Sequence, residues 1–147
     1  VLTAMNNKLL QNEATRTYTL VFESGDSVVD ELVTFAAEHD LSASHLTAIG
    51  AFRQATIGFY DLAAKQFEEI SVEEQVEVLS MTGNITRYEG APQLHAHVVL
   101  GRRDGSTIGG HLLGATVNPT LEMMVIETPG TLQRAHDEAS GLPLIQI

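Results

Sequence analysis

Three of the six histidines in this chain lie close together in one segment, LHAHVVLGRRDGSTIGGHLLGA. His95 and His97 stand two residues apart, and His111 follows a glycine-containing turn. Zinc, nickel, iron and manganese all accept neutral imidazole as a ligand. Three protein ligands with one position left for water or substrate are the arrangement of catalytic zinc. These histidines are therefore candidate ligands of a divalent metal, with zinc as the first candidate.

The first two histidines fall on a predicted amphipathic strand. Because successive side chains of a strand point to opposite faces, His95 and His97 share one face. The other face is apolar and is predicted to face the core, and it carries Leu94, Ala96, Val98 and Leu100.

The turn decides whether His111 joins the other two, because a shift of one residue in register moves every side chain of the return strand to the opposite face. A two-residue turn at Asp104-Gly105 would set His97 opposite Leu112 and separate His111 from the pair. A three-residue loop over Arg103–Gly105, with the glycine in the left-handed conformation, sets His97 opposite His111.

The hydrophobic pattern favours the three-residue loop, because apolar residues then also face one another across the hairpin. A bulge at Gly109-Gly110 would change this count. The alternative is that the three histidines lie on a solvent-exposed face and bind no metal. The other pairs predicted by the favoured register are Arg102 with Ser106, Leu100 with Ile108, and Ala96 with Leu112.

The other elements predict a single α+β domain, with one main helix against a largely antiparallel sheet. Apolar alternation predicts strands over Thr15–Glu23 and Gln75–Tyr88. A Ser27-x-x-Asp30 capping pattern, followed by apolar residues at helical spacing, predicts a helix over Ser27–His39. Shorter strands are predicted in ASHLTAIGAF, QATIGFYD, KQFEEISVEE and TLEMMVIET, the last after a turn at Asn118-Pro119.

The two ends of the chain carry weaker signals. The start, VLTAMNNKLL, lacks a secretory signal, and we expect Met5 to be the native start behind residues left from cloning. We therefore predict an N-terminal extension over residues 1–14 and the domain over residues 15–147. The tail, TLQRAHDEASGLPLIQI, predicts one short helical turn and a terminal strand over Pro143–Ile147.

Composition and charge exclude several classes of protein. The absence of cysteine excludes disulfides, thiolate ligands and a cysteine nucleophile. The formal net charge of −11 repels phosphates and disfavours direct DNA binding. No apolar run approaches the roughly 18 residues of a membrane span. We therefore expect a cytoplasmic protein without membrane association.

Two arginines are candidate ligand-binding residues. Arg53 in GAFRQAT and Arg87 in NITRYEG could bind a substrate carboxylate. An open metal site that polarises a carbonyl usually needs such a positive charge to orient its ligand. The alternative is that both arginines form ion pairs on the surface.

From about Arg16 to Ile145, the sequence resembles the plant and prokaryote conserved domain, PPC. The resemblance is carried by AIGAFRQATIGFYD, EQVEVLSMTGNI and GAPQLHAHVVLGRRDGSTIGGHLLGATVNPTLEMMVIE, and HAHVVLG, DGSTIGGHL and TLEMMV are its most specific parts. It implies a homotrimer of domains that each have a mostly antiparallel sheet of about seven strands. Plant members join the domain to AT-hooks and are described as DNA-binding, but this chain lacks the Arg-Gly-Arg-Pro core of an AT-hook.

The same resemblance implies a site. Prokaryotic members are similar in their His-x-His and Gly-Gly-His motifs, carried here by His95, His97 and His111. The fold is also similar to that of acetolactate decarboxylase, a zinc enzyme whose metal is held by three histidines. This similarity suggests metal binding and, by analogy alone, catalysis. Glu122 matches an acidic position of the family pattern and is a candidate general base or partner of a metal ligand. Its alternative role is a charge at a subunit interface.

These observations predict a ligand-binding or regulatory module with a three-histidine metal site. The alternatives are a DNA-associated protein, which the family description suggests, and a zinc-dependent enzyme resembling acetolactate decarboxylase.

Overall fold

The computed structural model describes residues 5–12 and 14–147. This part of the chain forms nine β-strands and one α-helix. Within it, no helix has the length and apolar character needed to cross a membrane. The elements in chain order are β1 (Asn6–Asn12), β2 (Arg16–Glu23), α1 (Val28–Glu38), β3 (Ser44–Asp61), β4 (Gln66–Val72), β5 (Val76–Tyr88), β6 (Ala91–Gly101), β7 (Thr107–Glu127), β8 (Gln133–Asp137) and β9 (Leu142–Gln146).

The helix forms where the sequence predicts it, within one residue at each end. Ser27 is extended before α1, and its hydroxyl donates a 2.8 Å hydrogen bond to Asp30 Oδ2. Asp30 and Glu31 place negative charge in the first turn, where the helix dipole favours it. One apolar face of α1 joins the hydrophobic core of the sheet, and its buried apolar residues are Val28, Leu32, Phe35 and Ala36.

Four long strands form a closed ring of pairs. β3 pairs with β5 and β7, and β6 pairs with the same two strands, in every case antiparallel. β3 is one strand that continues through several register shifts, where the sequence predicts two shorter strands. Gly50 lies at one of these register shifts. This position requires glycine, because a side chain there would collide with the carbonyl oxygen of Thr120.

Several predictions about the sheet are wrong. It has nine strands instead of about seven. The prediction of a mostly antiparallel sheet is confirmed, although the sheet is mixed because β8 runs parallel to β5 at one pair. In the tail, β8 replaces the predicted helical turn, because pairing with β9 and β5 engages the backbone hydrogen-bonding groups of β8. The predicted terminal strand is confirmed as β9. β7 continues through Asn118-Pro119, a cis peptide bond, instead of turning there. β1, within the predicted N-terminal extension, pairs with β2.

Candidate metal centre

The β6–β7 hairpin has the three-residue loop that the hydrophobic pattern favours. The Arg102 N–H donates to the Ser106 carbonyl at 2.8 Å, and the Gly105 N–H donates to the Arg102 carbonyl at 2.9 Å. Gly105 has a φ of 84°, in the left-handed region that glycine adopts without strain. In this register His97 lies opposite His111, as predicted.

The strands diverge immediately beyond this pair. His111 also pairs with Gly58 of β3, and Leu112 pairs with Ile57 of β3 instead of with Ala96 of β6. The predicted Ala96–Leu112 pair is therefore wrong, because β7 passes from β6 to β3 at this point. His111 thus lies at the position where three strands of the ring meet.

The two glycines before His111 permit this crossing. A Cβ at Gly110 would lie 2.7 Å from the carbonyl oxygen of Gly58, and one at Gly109 would lie 2.8 Å from that of Val98. Both distances are shorter than contacts that real Cβ atoms make. The Gly-Gly-His sequence therefore brings β7 close to both neighbouring strands and fixes the position of His111.

The three imidazoles converge on one point. Ring nitrogens of His95, His97 and His111 all lie within 4.8 Å of one another, and the Nε2 atoms of His95 and His97 are 3.2 Å apart. Tetrahedral zinc with Zn–N bonds of about 2.0–2.1 Å holds its nitrogens roughly 3.3 Å apart. The separation of the His95 and His97 nitrogens matches this value, and the His111 nitrogen lies within 4.8 Å of both, so the three imidazoles could hold one ion.

The surroundings keep two of these histidines unprotonated at neutral pH. Burial, and then repulsion from His95 and His97, lowers the pKa of His111 to about 4. Burial also lowers the pKa of His95, with smaller contributions from His97 and Arg134. A metal ligand must be neutral imidazole, so these shifts make the donors available at pH 7 without loss of a proton.

The histidines open into a cavity of about 520 Å³. Aromatic residues of β3 and β4 form one wall, and the Phe67 ring centroid lies 4.5 Å from that of His111. The β8–β9 hairpin forms another wall. The lining residues are Gly58, Phe59, Tyr60, Phe67, Gln93, Leu94, His95, His97, Gly110, His111, Arg134, Leu142, Pro143 and Leu144.

The cavity contains an arginine that the sequence interpretation missed. Arg134, on β8, donates from Nε to Thr86 Oγ1, from Nη1 to the Pro143 carbonyl and from Nη2 to Asn84 Oδ1, at 2.7–2.8 Å. Burial lowers the pKa of its guanidinium, but the group remains charged at neutral pH. No local pattern in the sequence pointed to this residue. The tail segment that contains it was predicted to form a helical turn and forms β8 instead.

The other predicted site residues lie outside this cavity. Arg53 donates a 3.4 Å hydrogen bond to Ser24, and Arg87 forms an ion pair with Asp40. Glu122 is exposed on a later part of β7, where it lines a different, shallow depression together with apolar side chains of β3 and β5. Neither arginine, nor Glu122, is among the residues that line the histidine cavity.

The match to a known family agrees with this fold. The model of the Plants and Prokaryotes Conserved (PCC) domain, the family called PPC above, matches residues 10–129. The chain belongs to this family. The PPC match includes all three histidines and ends before β8, so Arg134 and Leu142–Leu144 lie beyond it.

Several solved structures are similar to this PPC chain over nearly their full lengths. A metal-containing protein from Archaeoglobus fulgidus is 35% identical, with a TM-score of 0.85 and coverage of 95% of this chain and 99% of the other. A proposed DNA-binding protein from Ralstonia eutropha is 32% identical, with a TM-score of 0.81 and coverage of 88% and 90%. Another from Bacteroides thetaiotaomicron is 26% identical, with a TM-score of 0.91 and coverage of 98% of both chains. No curated protein matches the chain.

Proposed function

We propose that this PPC protein binds one divalent transition metal ion through His95, His97 and His111, and that the metal centre binds a small ligand. Zinc is the first candidate. The observation that carries the proposal is the convergence of three imidazole donors within 4.8 Å in a cavity. The description of the A. fulgidus relative as metal-containing supports it at 35% identity.

The chemistry available depends on the fourth position of the ion. A bound zinc with an open position can polarise a carbonyl or activate a water. This chain's own contribution is to hold the three imidazoles, pack Phe67 against His111 and line the cavity with apolar residues. If the centre is catalytic, Glu122 or a neighbouring subunit is the proposed source of proton transfer, and Glu122 of the same chain lines a separate depression. The proposed role is ligand binding or regulation, with catalysis as a variant of the same site.

A metal analysis tests the proposal. Untagged protein should carry near-stoichiometric metal by inductively coupled plasma mass spectrometry, and the His95→Ala, His97→Ala double variant should carry almost none. The matched control is the His45→Ala, His136→Ala double variant, which removes two exposed histidines outside the cluster. A metal-free parent after growth and dialysis with zinc would refute the proposal, as would equal metal content in the two double variants.

The proposed assembly is the homotrimer that the family resemblance implies. Its support in this chain is an exposed apolar patch around Glu122, in which Ile49, Leu79 and Met124 are 60%, 53% and 39% exposed. Exposed apolar patches of this kind mark surfaces that associate. Light scattering on the parent should give three times the monomer mass, and Ile49→Glu should give a smaller species. Leu62→Glu, which changes an equally exposed residue in the β3–β4 turn, should leave the mass unchanged.

DNA association is the second candidate, because two relatives are described as proposed DNA-binding proteins. The net charge of −11 opposes direct contact with phosphates. DNA association is therefore a weaker proposal than metal and ligand binding. If the protein associates with DNA, we propose that it does so through a partner protein.

A further inference from the structure

Arg134 lies beside the histidines and has no acidic partner among the residues that the structure describes. Its guanidinium donates to a hydroxyl, an amide oxygen and a backbone carbonyl, all of which are neutral acceptors. Among residues 5–12 and 14–147, the arginine–carboxylate pairs within 4 Å are Arg87 with Asp40 and Arg102 with Glu74. A chain with nineteen acidic residues and eight basic ones thus leaves this partly buried positive charge uncompensated.

The arginine is held next to the first metal ligand. Asn84 of β5 lies directly opposite His95 of β6, and the Cβ atoms of such opposite residues are about 4.5–5.5 Å apart. Because Asn84 Oδ1 accepts from Arg134 Nη2 at 2.8 Å, the guanidinium lies about one side chain away from His95. Two further contacts hold the β8–β9 hairpin in place: the Tyr60 hydroxyl and Lys65 Nζ each donate to hairpin carbonyls at 2.6 Å.

The hydrogen-bonding capacity of Arg134 is only partly used. A guanidinium has five N–H donors, and three of them have partners in the protein. Within the described part of the chain, one N–H on each terminal nitrogen has no partner, and two is the number that a carboxylate takes in a bidentate pair. The remaining walls of the cavity are largely apolar, with Phe59, Leu142 and Leu144 among them, and Tyr60 and Gln93 add polar groups.

We propose that Arg134 binds the carboxylate of a small organic acid whose second oxygen, a hydroxyl or carbonyl, takes the open position at the metal. The hydrocarbon part of the acid lies against the apolar wall. This inference rests on the proposed metal centre and names the class of ligand for it. Inorganic phosphate offers the same negative charge, but it has no apolar part to bury.

Isothermal titration calorimetry on the zinc-loaded protein tests the inference with three probes: α-hydroxyisobutyrate, its neutral amide and inorganic phosphate. We expect the acid to bind about tenfold or more tightly than the amide, because hydrogen bonds to charged groups contribute more than those to neutral ones. The acid should also bind more tightly than phosphate. Equal affinity for acid and amide, tighter binding of phosphate, or no binding of the acid would overturn the inference.

Variants locate the effect. Arg134→Met should weaken binding of the acid about tenfold or more while zinc content stays at the level of the parent. Arg103→Met is the matched control, because it removes the same charge from the exposed hairpin loop and should leave affinity unchanged. Arg134→Lys keeps the charge but loses the fork, so we expect an intermediate affinity. If Arg134→Met fails to fold, Arg134→Lys and the comparison of acid with amide on the parent decide the question.

The two proposals fail in different ways. A parent protein that holds no zinc refutes the metal centre. A parent that holds zinc but does not distinguish acid from amide, or an Arg134→Met variant that keeps both zinc and full affinity, refutes the carboxylate subsite alone.

Discussion

Acid should destabilise the metal-free protein through His111 in particular. The pKa of His111 is about 4 in the folded chain, against an ordinary value of 6.5 for histidine. Between these values the unfolded chain binds a proton that the folded chain does not, so stability is complete above about pH 6.5 and falls as the pH drops toward 4. Below about pH 4 both states are protonated and the loss is complete.

The size of the effect follows from the shift. At about 1.4 kcal/mol per pKa unit, a pKa that falls from 6.5 to about 4 corresponds to roughly 3 kcal/mol. Because His111 is only partly buried, solvent screening reduces this to about 2 kcal/mol. The pKa of His95 is lowered in the same direction, so protonation of the cluster as a whole opposes folding.

Urea unfolding of protein treated with a chelator, at one protein concentration and across this pH range, measures the loss. The parent should lose about 2 kcal/mol more than His111→Gln, whose side chain does not titrate. His136→Gln, which changes an exposed histidine on β8, should behave as the parent. Parallel loss of stability in the parent and in His111→Gln would refute the assignment of this pH dependence to the cluster.

Other predictions concern the backbone at the site, the bound metal and DNA. Gly110→Ala should destabilise the fold by about 1–3 kcal/mol and weaken zinc binding, because its Cβ would lie 2.7 Å from the Gly58 carbonyl oxygen. Gly114→Ala on the same strand has no atom within 4 Å of its Cβ and should change stability by less than about 0.5 kcal/mol in urea unfolding. Zinc should raise the melting temperature at neutral pH and lose this effect in acid, because protons compete for the imidazoles. The protein alone should not bind DNA at low salt in a fluorescence anisotropy titration. A binding signal that falls steeply as salt rises would contradict this expectation.

The histidine hairpin could be predicted from the sequence because all its determinants are local. The loop type depends on Gly105, and the hydrophobic pattern on both strands selects the same register. The helix was predicted for the same reason, since its capping pattern and apolar spacing lie within one short segment. Local patterns fail at Leu112 of β7. They predict a pair with Ala96 of β6, but Leu112 pairs with Ile57 of β3, which is far away in the chain.

The rest of the site depends on contacts between distant segments. Arg134 reaches the cavity because β8 aligns with the end of β5, where Gln133 faces Arg87. The sequence of β8, QRAHD, has no periodicity that would predict this pairing. Glu122 was predicted near the metal from a family position, but its location is fixed by pairing with Val21 of β2 and Ile49 of β3. Sequence patterns give the face of a residue, whereas the strand order of the sheet decides which faces meet.

The site divides into two parts that are held by different elements. The three imidazoles stand on β6 and β7, two strands of the closed ring, where close backbone approach at Gly110 leaves little freedom. Arg134 and the apolar residues Leu142 and Leu144 stand on the β8–β9 hairpin, which lies after the family match and is attached by pairing with β5 and by side-chain hydrogen bonds such as that of Tyr60. A change in the hairpin can therefore alter which ligand fits while the metal-binding geometry stays intact. This is the physical reason to expect Arg134→Met to keep its zinc and lose its carboxylate.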